Sequence, residues 1–521
     1  MKRKFLAKAI TLGLMLAVPF GVDAAETLVA DKTVDGEKKI YSEAASIIGD
    51  KYQYNYTING RLAMSGASYI KEVNQLTFGT DGKESSFAGG SIEAKNITVK
   101  GRLWTAKGTS IDTSGELLFV NNPQIDSPED TNNKVLNCGS INAKAIKSPI
   151  YFRNQGTIEV QKAIEAEAGF NNEKTTASIK AAELIVEKNF NNKGNISVNS
   201  ITANLDISKN LVNDGDAAII QTNKITVTSG GITNKGTITS KDENSKLEIS
   251  SAGNVNNMGS LLNIGSLTSN NGVTNATGAI IQTDKINNTR GDIINNGSLK
   301  STTEINSVGT IDNYGVLKTK NLISNTRLYN RQGATLETES IDGATGTISN
   351  YGTLTNQNKI ESYGAIYNRG QLKSNILVSK STVTNGGFNN DKDSADPNSK
   401  MEVGSLKAEA IINNGQLIAD SVETQKNIAN GNSAALNINN TLKIEGILKN
   451  AGSLETKDLI ISQASDNANR DSYSTGSLKV NGKLTLNENA GFSFEDKREG
   501  GDISIGTLET KGNNVISVKM V

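Results

Sequence analysis

Val-Leu-Asn-Cys-Gly-Ser-Ile, at residues 135–141, and Phe-Arg-Asn-Gln-Gly-Thr-Ile, at residues 152–158, are two copies of one phrase. Each copy has an apolar residue, then Asn two positions later, Gly after two more, and Ile at the end. The phrase recurs with Ile or Leu at its end, and most intervals between its asparagines are 17 to 23 residues. A fixed period of this length predicts a solenoid, in which each repeat is one turn of a coil.

The residues around each asparagine favour strands over helices. Ile158 and Val160, like Leu247 and Ile249, alternate with polar residues, which is the pattern of a half-buried strand. The sequence therefore predicts an all-β chain folded as a right-handed, single-stranded parallel β-helix. We expect turns of about 17 to 23 residues, each with two or three short strands and an Asn-x-Gly corner.

The recurrent Asn and Gly suit a sharp corner, because both tolerate backbone conformations that strain other residues. Strands of successive turns lie about 4.8 Å apart, so equivalent asparagines should stack and bond to one another in a buried ladder. The alternative is that Asn and Gly simply mark surface turns. The anchors with the regular glycine spacing are Asn137, Asn154, Asn192, Asn213, Asn234, Asn257, Asn295, Asn313, Asn350, Asn368, Asn413 and Asn450. The irregular anchors are Asn172, Asn275, Asn330, Asn385 and Asn430.

The organisation along the chain follows from the repeat and from the first residues. Residues 1–24 have a basic start, a short apolar run and a small-residue cleavage site, which predicts a secretory signal peptide cut before Ala25. Residues 25–134 are expected to form an N-terminal cap and first irregular turns, and residues 135–457 the regular β-helix. Residues 458–521 continue the alternation and are expected to form C-terminal turns, with a truncated β-helix as one interpretation.

Composition argues against several classes of function. The chain has 54 basic and 54 acidic residues, which does not fit a dedicated nucleic-acid binder. It has no histidine and one cysteine, so Ser-His-Asp and Cys-His catalysis and an internal disulfide are excluded. We expect no catalytic residues, no cofactor and no metal site. The cysteine, Cys138, occupies a variable position of the phrase, so an exposed thiol and a buried inert one are both open.

Two features outside the repeat are candidates for binding. Polar insertions interrupt the rhythm and are expected to form surface loops, often found on the binding face of a solenoid. Their acidic residues are candidates for partner contacts: Asp126, Asp130, Asp391, Asp393 and Asp396. The alternating Tyr52, Tyr54 and Tyr56 predict one face of a cap strand, with a carbohydrate-stacking platform as the alternative.

The Asn-x-Gly-x-[Ile/Leu] repeat, the leader, the single cysteine and the absence of histidine resemble the passenger region of bacterial type V secreted surface proteins. These are the autotransporters and the filamentous-haemagglutinin-like exoproteins. The resemblance covers most of residues 135–454. It implies a β-helical stalk exported by an outer-membrane translocator, a cell-surface or extracellular location, and a role in adhesion, aggregation, biofilm or virulence. The chain shows neither a C-terminal translocator region nor Asn-Pro-Asn motifs.

We therefore expect a non-enzymatic, exported β-helical protein that acts in adhesion or self-association. Its partners would be a host or bacterial surface glycan or protein, or a second copy of itself, lying side by side. One alternative is a polysaccharide lyase or glycoside hydrolase on the same fold. The other is a structural spacer.

Overall fold

The structure is a computed structural model in two compact units, residues 1–185 and 186–521. The residues that it describes are 25–28, 30–36, 38–40, 46–59, 62–79, 84–120, 134–206, 208–344, 346–387, 398–462, 472–496 and 502–520. Strands are the regular elements throughout these ranges. None of these residues belongs to a helix long and apolar enough to cross a membrane. The leader predicted at residues 1–24 lies outside the described residues.

In the first unit, a narrow sheet of short strands and a wide sheet are each built from parallel strands. The narrow sheet contains β3 (Lys38–Ile40), β6 (Leu62–Met64), β8 (Glu84–Phe87), β10 (Arg102–Thr105), β13 (Lys134–Asn137), β16 (Tyr151–Asn154) and β19 (Phe170–Asn172). The wide sheet contains β1 (Glu26–Thr27), β2 (Lys32–Asp35), β4 (Ile47–Ile48), β5 (Asn55–Asn59), β7 (Tyr69–Phe78), β9 (Ser91–Lys100), β11 (Ser110–Thr113), β12 (Glu116–Val120), β14 (Ser140–Ala143), β15 (Ala145–Ser148), β17 (Thr157–Val160), β18 (Ala163–Ala166) and β20 (Ser178–Lys180). Strand β21 (Glu183–Lys188) spans the division between the units.

The second unit has the same two kinds of sheet. Its narrow strands are β22 (Phe190–Asn192), β25 (Asn210–Asn213), β28 (Gly231–Asn234), β31 (Val255–Asn257), β33 (Val273–Asn275), β35 (Ile293–Asn295), β37 (Ile311–Asn313), β39 (Leu328–Asn330), β41 (Ile348–Asn350), β43 (Ile366–Asn368), β45 (Thr382–Asn385), β47 (Ala410–Asn413), β49 (Ile428–Asn430), β51 (Leu448–Asn450), β53 (Ser472–Ser474), β55 (Gly491–Asp496) and β57 (Val515–Met520). Its wide strands are β23 (Asn195–Ser197), β24 (Ser200–Leu205), β26 (Ile219–Gln221), β27 (Lys224–Ser229), β29 (Thr237–Thr239), β30 (Leu247–Ser251), β32 (Ser260–Ser269), β34 (Ile280–Asn288), β36 (Ser298–Ser307), β38 (Val316–Ser324), β40 (Thr335–Ala344), β42 (Thr353–Ser362), β44 (Gln371–Ser379), β46 (Lys400–Ala408), β48 (Gln416–Thr424), β50 (Ala435–Ile444), β52 (Ser453–Ile461), β54 (Leu478–Leu486) and β56 (Ile503–Thr510).

One turn of the coil illustrates how the phrase folds. Strand β37 ends at its asparagine, an Asn-Tyr-Gly corner follows, and β38 then runs along the wide sheet before β39 begins the next turn. Ile311 of β37 pairs in parallel with Leu328 of β39, and Leu317 of β38 pairs with Leu336 of β40. The predicted all-β parallel β-helix is therefore confirmed. Two strands per turn are the rule from β32 onward, because the wide strand bends at an irregularity in register instead of breaking into two.

The core of the second unit is made of three columns of aliphatic side chains, one from the narrow strand and one from each half of the wide strand. In the turn that begins at Ile311, the three are Ile311, Leu317 and Leu322, all fully buried. Full burial of each such side chain contributes roughly 1.5–3 kcal/mol before entropic costs are subtracted. Because the pattern repeats in every turn, the core is a thin continuous column that each turn shares with its neighbours.

The turn that begins at Ile311 also buries a polar side chain at each of its three bends, and only the one that follows the narrow strand was predicted. Asn313 donates to the Gly315 carbonyl (3.2 Å), Thr319 to the Asn321 carbonyl (3.1 Å) and Ser324 to the Arg327 carbonyl (2.9 Å). A bend turns backbone carbonyls away from the neighbouring strand, and a short side chain two or three residues earlier can satisfy them. Ser and Thr at the second and third bends serve the same purpose as Asn at the first.

The first unit has aromatic residues in its core column. The rings of Phe152 and Phe170, in paired strands of the narrow sheet, stack with centroids 5.6 Å apart. The prediction that Tyr52, Tyr54 and Tyr56 share one strand face was wrong. Tyr52 lies in a turn with a positive φ of 63°, whereas Tyr56 lies in β5 and is fully buried.

Candidate interaction surface

The predicted asparagine ladder is present in each unit. In every step the side-chain amide donates to the amide oxygen of the asparagine in the next turn, over 2.8 to 2.9 Å. The first unit's ladder runs through Asn137, Asn154 and Asn172. The second unit's ladder runs through Asn192, Asn213, Asn234, Asn257, Asn275, Asn295, Asn313, Asn330, Asn350, Asn368, Asn385, Asn413, Asn430 and Asn450, and ends on Ser474.

All five anchors with irregular glycine spacing belong to the ladder as well. Asn330, for example, accepts from Asn313 and donates to Asn350, both over 2.8 Å. Its amide also donates to the Thr353 carbonyl at 2.9 Å. The ladder depends on the asparagine at the end of the narrow strand. The corner that follows this asparagine can gain or lose a residue without breaking the ladder. Because these side chains are buried, the ladder holds the coil together and is not a surface for a ligand.

Cys138 is half-buried in the corner after Asn137. Its Sγ lies 3.7 Å from Oε1 of Gln155, which occupies the same position in the next turn. Burial raises the pKa of this thiol above its ordinary value. A thiol of this kind is a poor nucleophile at neutral pH.

Asp284 and Asp312, two acidic residues of the described ranges, lie on different sheets. Asp284 lies on the wide sheet and accepts from Thr302, whereas Asp312 lies on the narrow sheet and binds Arg331. Across the described ranges, no group of three acidic or cysteine side chains is placed to hold a metal ion. The loop residues proposed for partner contacts, Asp126, Asp130, Asp391, Asp393 and Asp396, lie outside the described residues.

The outer surface of the wide sheet in the second unit carries paired charges. Lys285 binds Glu304 (2.9 Å), and Lys318 binds Glu337 (2.6 Å), each across neighbouring turns. These pairs are largely exposed, so each contributes little to stability. They also cancel each other's charge, which leaves this surface polar and close to neutral.

The narrow sheet of the second unit carries a different surface over four consecutive turns. We name it the tyrosine–arginine face. Its outward side chains are Thr310, Asp312, Tyr314, Arg327, Tyr329, Arg331, Thr347, Ser349, Tyr351, Ala365, Tyr367 and Arg369. Tyrosine and arginine are the residue types most enriched at protein interaction sites.

The face is ordered by the register of the coil. Asp312, Tyr329, Ser349 and Tyr367 are paired in successive narrow strands and form one column. Each asparagine of the ladder is followed by a residue of a second column, which reads Tyr314, Arg331, Tyr351, Arg369. Backbone bonds between turns hold this second column, such as that from the Arg331 amide to the Asn313 carbonyl (2.9 Å).

Stacking and ion pairing order the side chains of the face. The Arg331 guanidinium lies 4.4 Å from the Tyr329 ring centroid and 5.3 Å from that of Tyr314, and Arg369 lies 5.9 Å from that of Tyr351. Arg331 also donates twice to Asp312, at 2.6 and 2.8 Å, and this bond raises the pKa of the guanidinium further above its ordinary range. Such contacts limit side-chain motion, so less entropy is lost when a partner binds.

The face has large exposed rings and a positive charge. Tyr314 is 49% exposed and Tyr351 is 36% exposed, and Tyr363 at its rim is 55% exposed. Arg327 and Arg369 form no ion pair with any residue that the structure describes. The face has one acidic side chain, Asp312, and three arginines.

The face was not predicted from the sequence, although its composition is visible there. Of the 12 tyrosines in the chain, five lie between residues 314 and 367, and three of the ten arginines lie between residues 327 and 369. These residues are 17 to 20 positions apart along the chain. Only an alignment of the turns at their asparagines brings them into columns.

In comparisons with protein-family models, with curated proteins and with solved structures, the chain gives no match.

Proposed function

We propose that this chain is an exported bacterial surface or secreted protein, like the passenger of a type V secretion system, and that it acts in adhesion or self-association. The observation that carries the proposal is the tyrosine–arginine face. A group of exposed tyrosines and arginines on one surface is typical of a protein interaction site. The leader pattern of residues 1–24 supports export.

The β-solenoid suits this function because each of its sheets repeats the same rigid surface from turn to turn. The asparagine ladder and the three aliphatic columns hold the outward side chains of successive turns at a constant spacing of about 4.8 Å. A partner then meets side chains whose positions are fixed by the backbone. Pre-organisation of this kind reduces the cost of binding.

The binding part of the proposal is tested with residues 25–521 and a double variant, Tyr351→Ala/Arg369→Ala. Immobilised protein is exposed to source cells, to host-cell matrix and to itself, and retention is measured. We expect binding that falls at least about tenfold in the variant, the effect of removing one or two interface hot spots. Tyr473→Ala, a tyrosine of the narrow sheet several turns away, is the matched control.

Two outcomes would replace this function with another. If the wild-type chain binds nothing in all three formats, a structural spacer is the better assignment. If it depolymerises pectin or a related polyanion, with or without calcium, the enzyme assignment replaces adhesion.

The location is tested separately by brief protease treatment of intact source cells and mass spectrometry of the released peptides. Peptides from residues 135–457 released without lysis are the expected result. Peptides released only after the outer envelope is broken would place the protein in the periplasm and contradict the surface assignment.

A further inference from the structure

We propose that the tyrosine–arginine face binds the same face of a second copy of this chain, with the two coils antiparallel and related by a two-fold axis. The proposal rests on the function proposed above and names its partner. In a two-fold interface one surface must complement itself, so the order of residues along the face decides whether pairing is possible.

The face can be read as three columns of four residues, one residue per turn. The rim column is Thr310, Arg327, Thr347 and Ala365. The middle column is Asp312, Tyr329, Ser349 and Tyr367, and the outer column is Tyr314, Arg331, Tyr351 and Arg369. Neighbouring residues of a column are about 4.8 Å apart, and neighbouring columns are about 6.6–6.8 Å apart.

The outer column of one copy is complementary to the outer column of the second copy when the two run in opposite directions. Its order is Tyr, Arg, Tyr, Arg, and the antiparallel copy presents Arg, Tyr, Arg, Tyr. Tyr314 therefore meets Arg369 of the second copy, and Arg331 meets Tyr351 of the second copy. The two-fold axis repeats both contacts, so four arginine–tyrosine pairs form, each worth about 0.5–1 kcal/mol or more once water is excluded.

The middle column matches in size and in hydrogen bonding. Ser349 is only 4% exposed because it lies between the larger Tyr329 and Tyr367 in adjacent turns. Reversal places Tyr329 of one copy over Ser349 of the other, so that the large Tyr329 side chains of the two copies do not collide. It also brings the Tyr367 hydroxyl, a donor, to the Asp312 carboxylate, an acceptor.

The parallel arrangement of the same faces is unfavourable. With both coils in the same direction, the outer column of one copy meets the rim column of the other at the same level. Arg331 would then lie opposite Arg327 of the second copy, twice in each dimer. Facing like charges are destabilising, and the face has only one carboxylate per copy, Asp312, to balance the four arginines that would meet at this level of the dimer, two from each copy.

The size of the face sets the strength of the association. Four turns and three columns cover roughly 400 Å² per copy at the spacings above. That is about half of what each partner contributes to a standard stable interface. We therefore expect a weak, reversible dimer that forms where the protein is locally concentrated.

Cysteine cross-linking tests both the contact and its direction. In a Cys138→Ser background, Thr310→Cys and Ala365→Cys are prepared as separate full-length proteins and treated, alone and mixed, with a bismaleimide that joins thiols about 10 Å apart, the distance between two facing sheets. The antiparallel pairing places residue 310 of one copy opposite residue 365 of the other. Residue 310 of one copy and residue 310 of the other lie three turns apart along the coil, about 14 Å, in addition to the distance between the sheets, so the reagent does not join them.

The expected result is a covalently linked dimer in the mixture and none in either protein alone. A mixture of Thr310→Cys and Tyr314→Cys is the control for the parallel arrangement and should give no covalent dimer. Cross-linking in that control, or no cross-linking in the first mixture at concentrations where the wild-type chain self-associates, would overturn the proposal.

Sedimentation of uncross-linked protein gives an independent measure. The wild-type chain should show a concentration-dependent shift toward dimer, weakened at least about tenfold by Arg331→Ala and unchanged by Tyr473→Ala. A chain that stays monomeric at every concentration but still binds cells or matrix through this face refutes the self-association alone. A chain that is monomeric and binds neither cells nor matrix refutes the proposed function as well.

Discussion

At the scale of single residues, the buried asparagine is what distinguishes this coil from a stack of aliphatic strands. Asn313 accepts from Asn295 and donates to Asn330, both over 2.8 Å. It also donates to the Thr335 carbonyl at 2.9 Å. Removing one amide therefore leaves a donor and an acceptor in neighbouring turns without their partner, and buried polar groups without partners are expensive.

Asn313→Ala should lower the free energy of unfolding by about 2–3 kcal/mol, the cost of leaving buried groups unsatisfied. The denaturant midpoint of residues 25–521 measures it, with amide exchange in β35 and β39 to locate the effect. Asn358→Ala, at an exposed position of the wide sheet, is the control and should change stability by less than about 0.5 kcal/mol. Equal effects of the two substitutions would contradict the role of the ladder.

Cys138 gives a second prediction at this scale. Because burial raises the pKa of its thiol, the thiolate fraction at pH 8 is lower than that of a free cysteine. Alkylation of the folded chain should therefore be slower than alkylation of the chain in denaturant. Equal rates in the two conditions would show that the corner after Asn137 leaves the thiol open.

At the scale of the turn, glycine is required at different positions for two different reasons. Gly315 follows the ladder asparagine by two residues, and a Cβ there would lie 2.1 Å from the Gly297 carbonyl oxygen in the preceding turn. Gly333 faces open space but has a positive φ of 79°. The first glycine is required by the close approach of two turns, and the second by its backbone conformation.

Gly315→Ala should destabilise the chain by more than about 1 kcal/mol, because backbone atoms of two turns would have to separate. Gly333→Asn should cost less, since asparagine tolerates a positive φ and has room for its side chain. Thermal denaturation of both variants checks the order. A larger loss for Gly333→Asn would mean that the close contact between turns is not what requires glycine at position 315.

At the scale of the whole molecule, the second unit combines a nearly continuous apolar column with a surface rich in exposed ion pairs. Hydrogen bonds to lysine lower the pKa of Asp214, Glu423 and Glu455 below their ordinary values. A carboxylate with a lowered pKa stabilises the folded state above its unfolded pKa, and that contribution is lost as the pH falls through the folded value.

We therefore expect the melting temperature to be constant from pH 7 to about pH 5 and to fall below about pH 4.5, where these carboxylates take up protons in the unfolded chain before they do so in the folded chain. The decrease should be small, because the pairs are exposed, and smaller still at high salt. Thermal melts from pH 7 to pH 3 at low and high salt test this. A rise in stability on acidification would show that like-charge repulsion outweighs the pairs.

The sequence by itself determined the class of fold and the asparagine ladder, because both depend on local periods. Alternation of apolar residues specifies a strand, and an asparagine every turn specifies the corner; Asn313 and its equivalents were identified from that rhythm alone. The ladder extends further than its regular phrase, since Asn330 and Asn385 stack despite the irregular corners behind them.

Only the tertiary structure decided which surface residues meet. Tyr314, Arg331 and Tyr351 are far apart in sequence, and indels in the corners hide their common position. Register between turns places them in one column, and the bend of the wide strand buries Thr319 and Ser324 at the other two bends. The period along the chain shows that turns stack. Which surface residues of adjacent turns lie next to each other depends on where in each corner the inserted or deleted residues are placed.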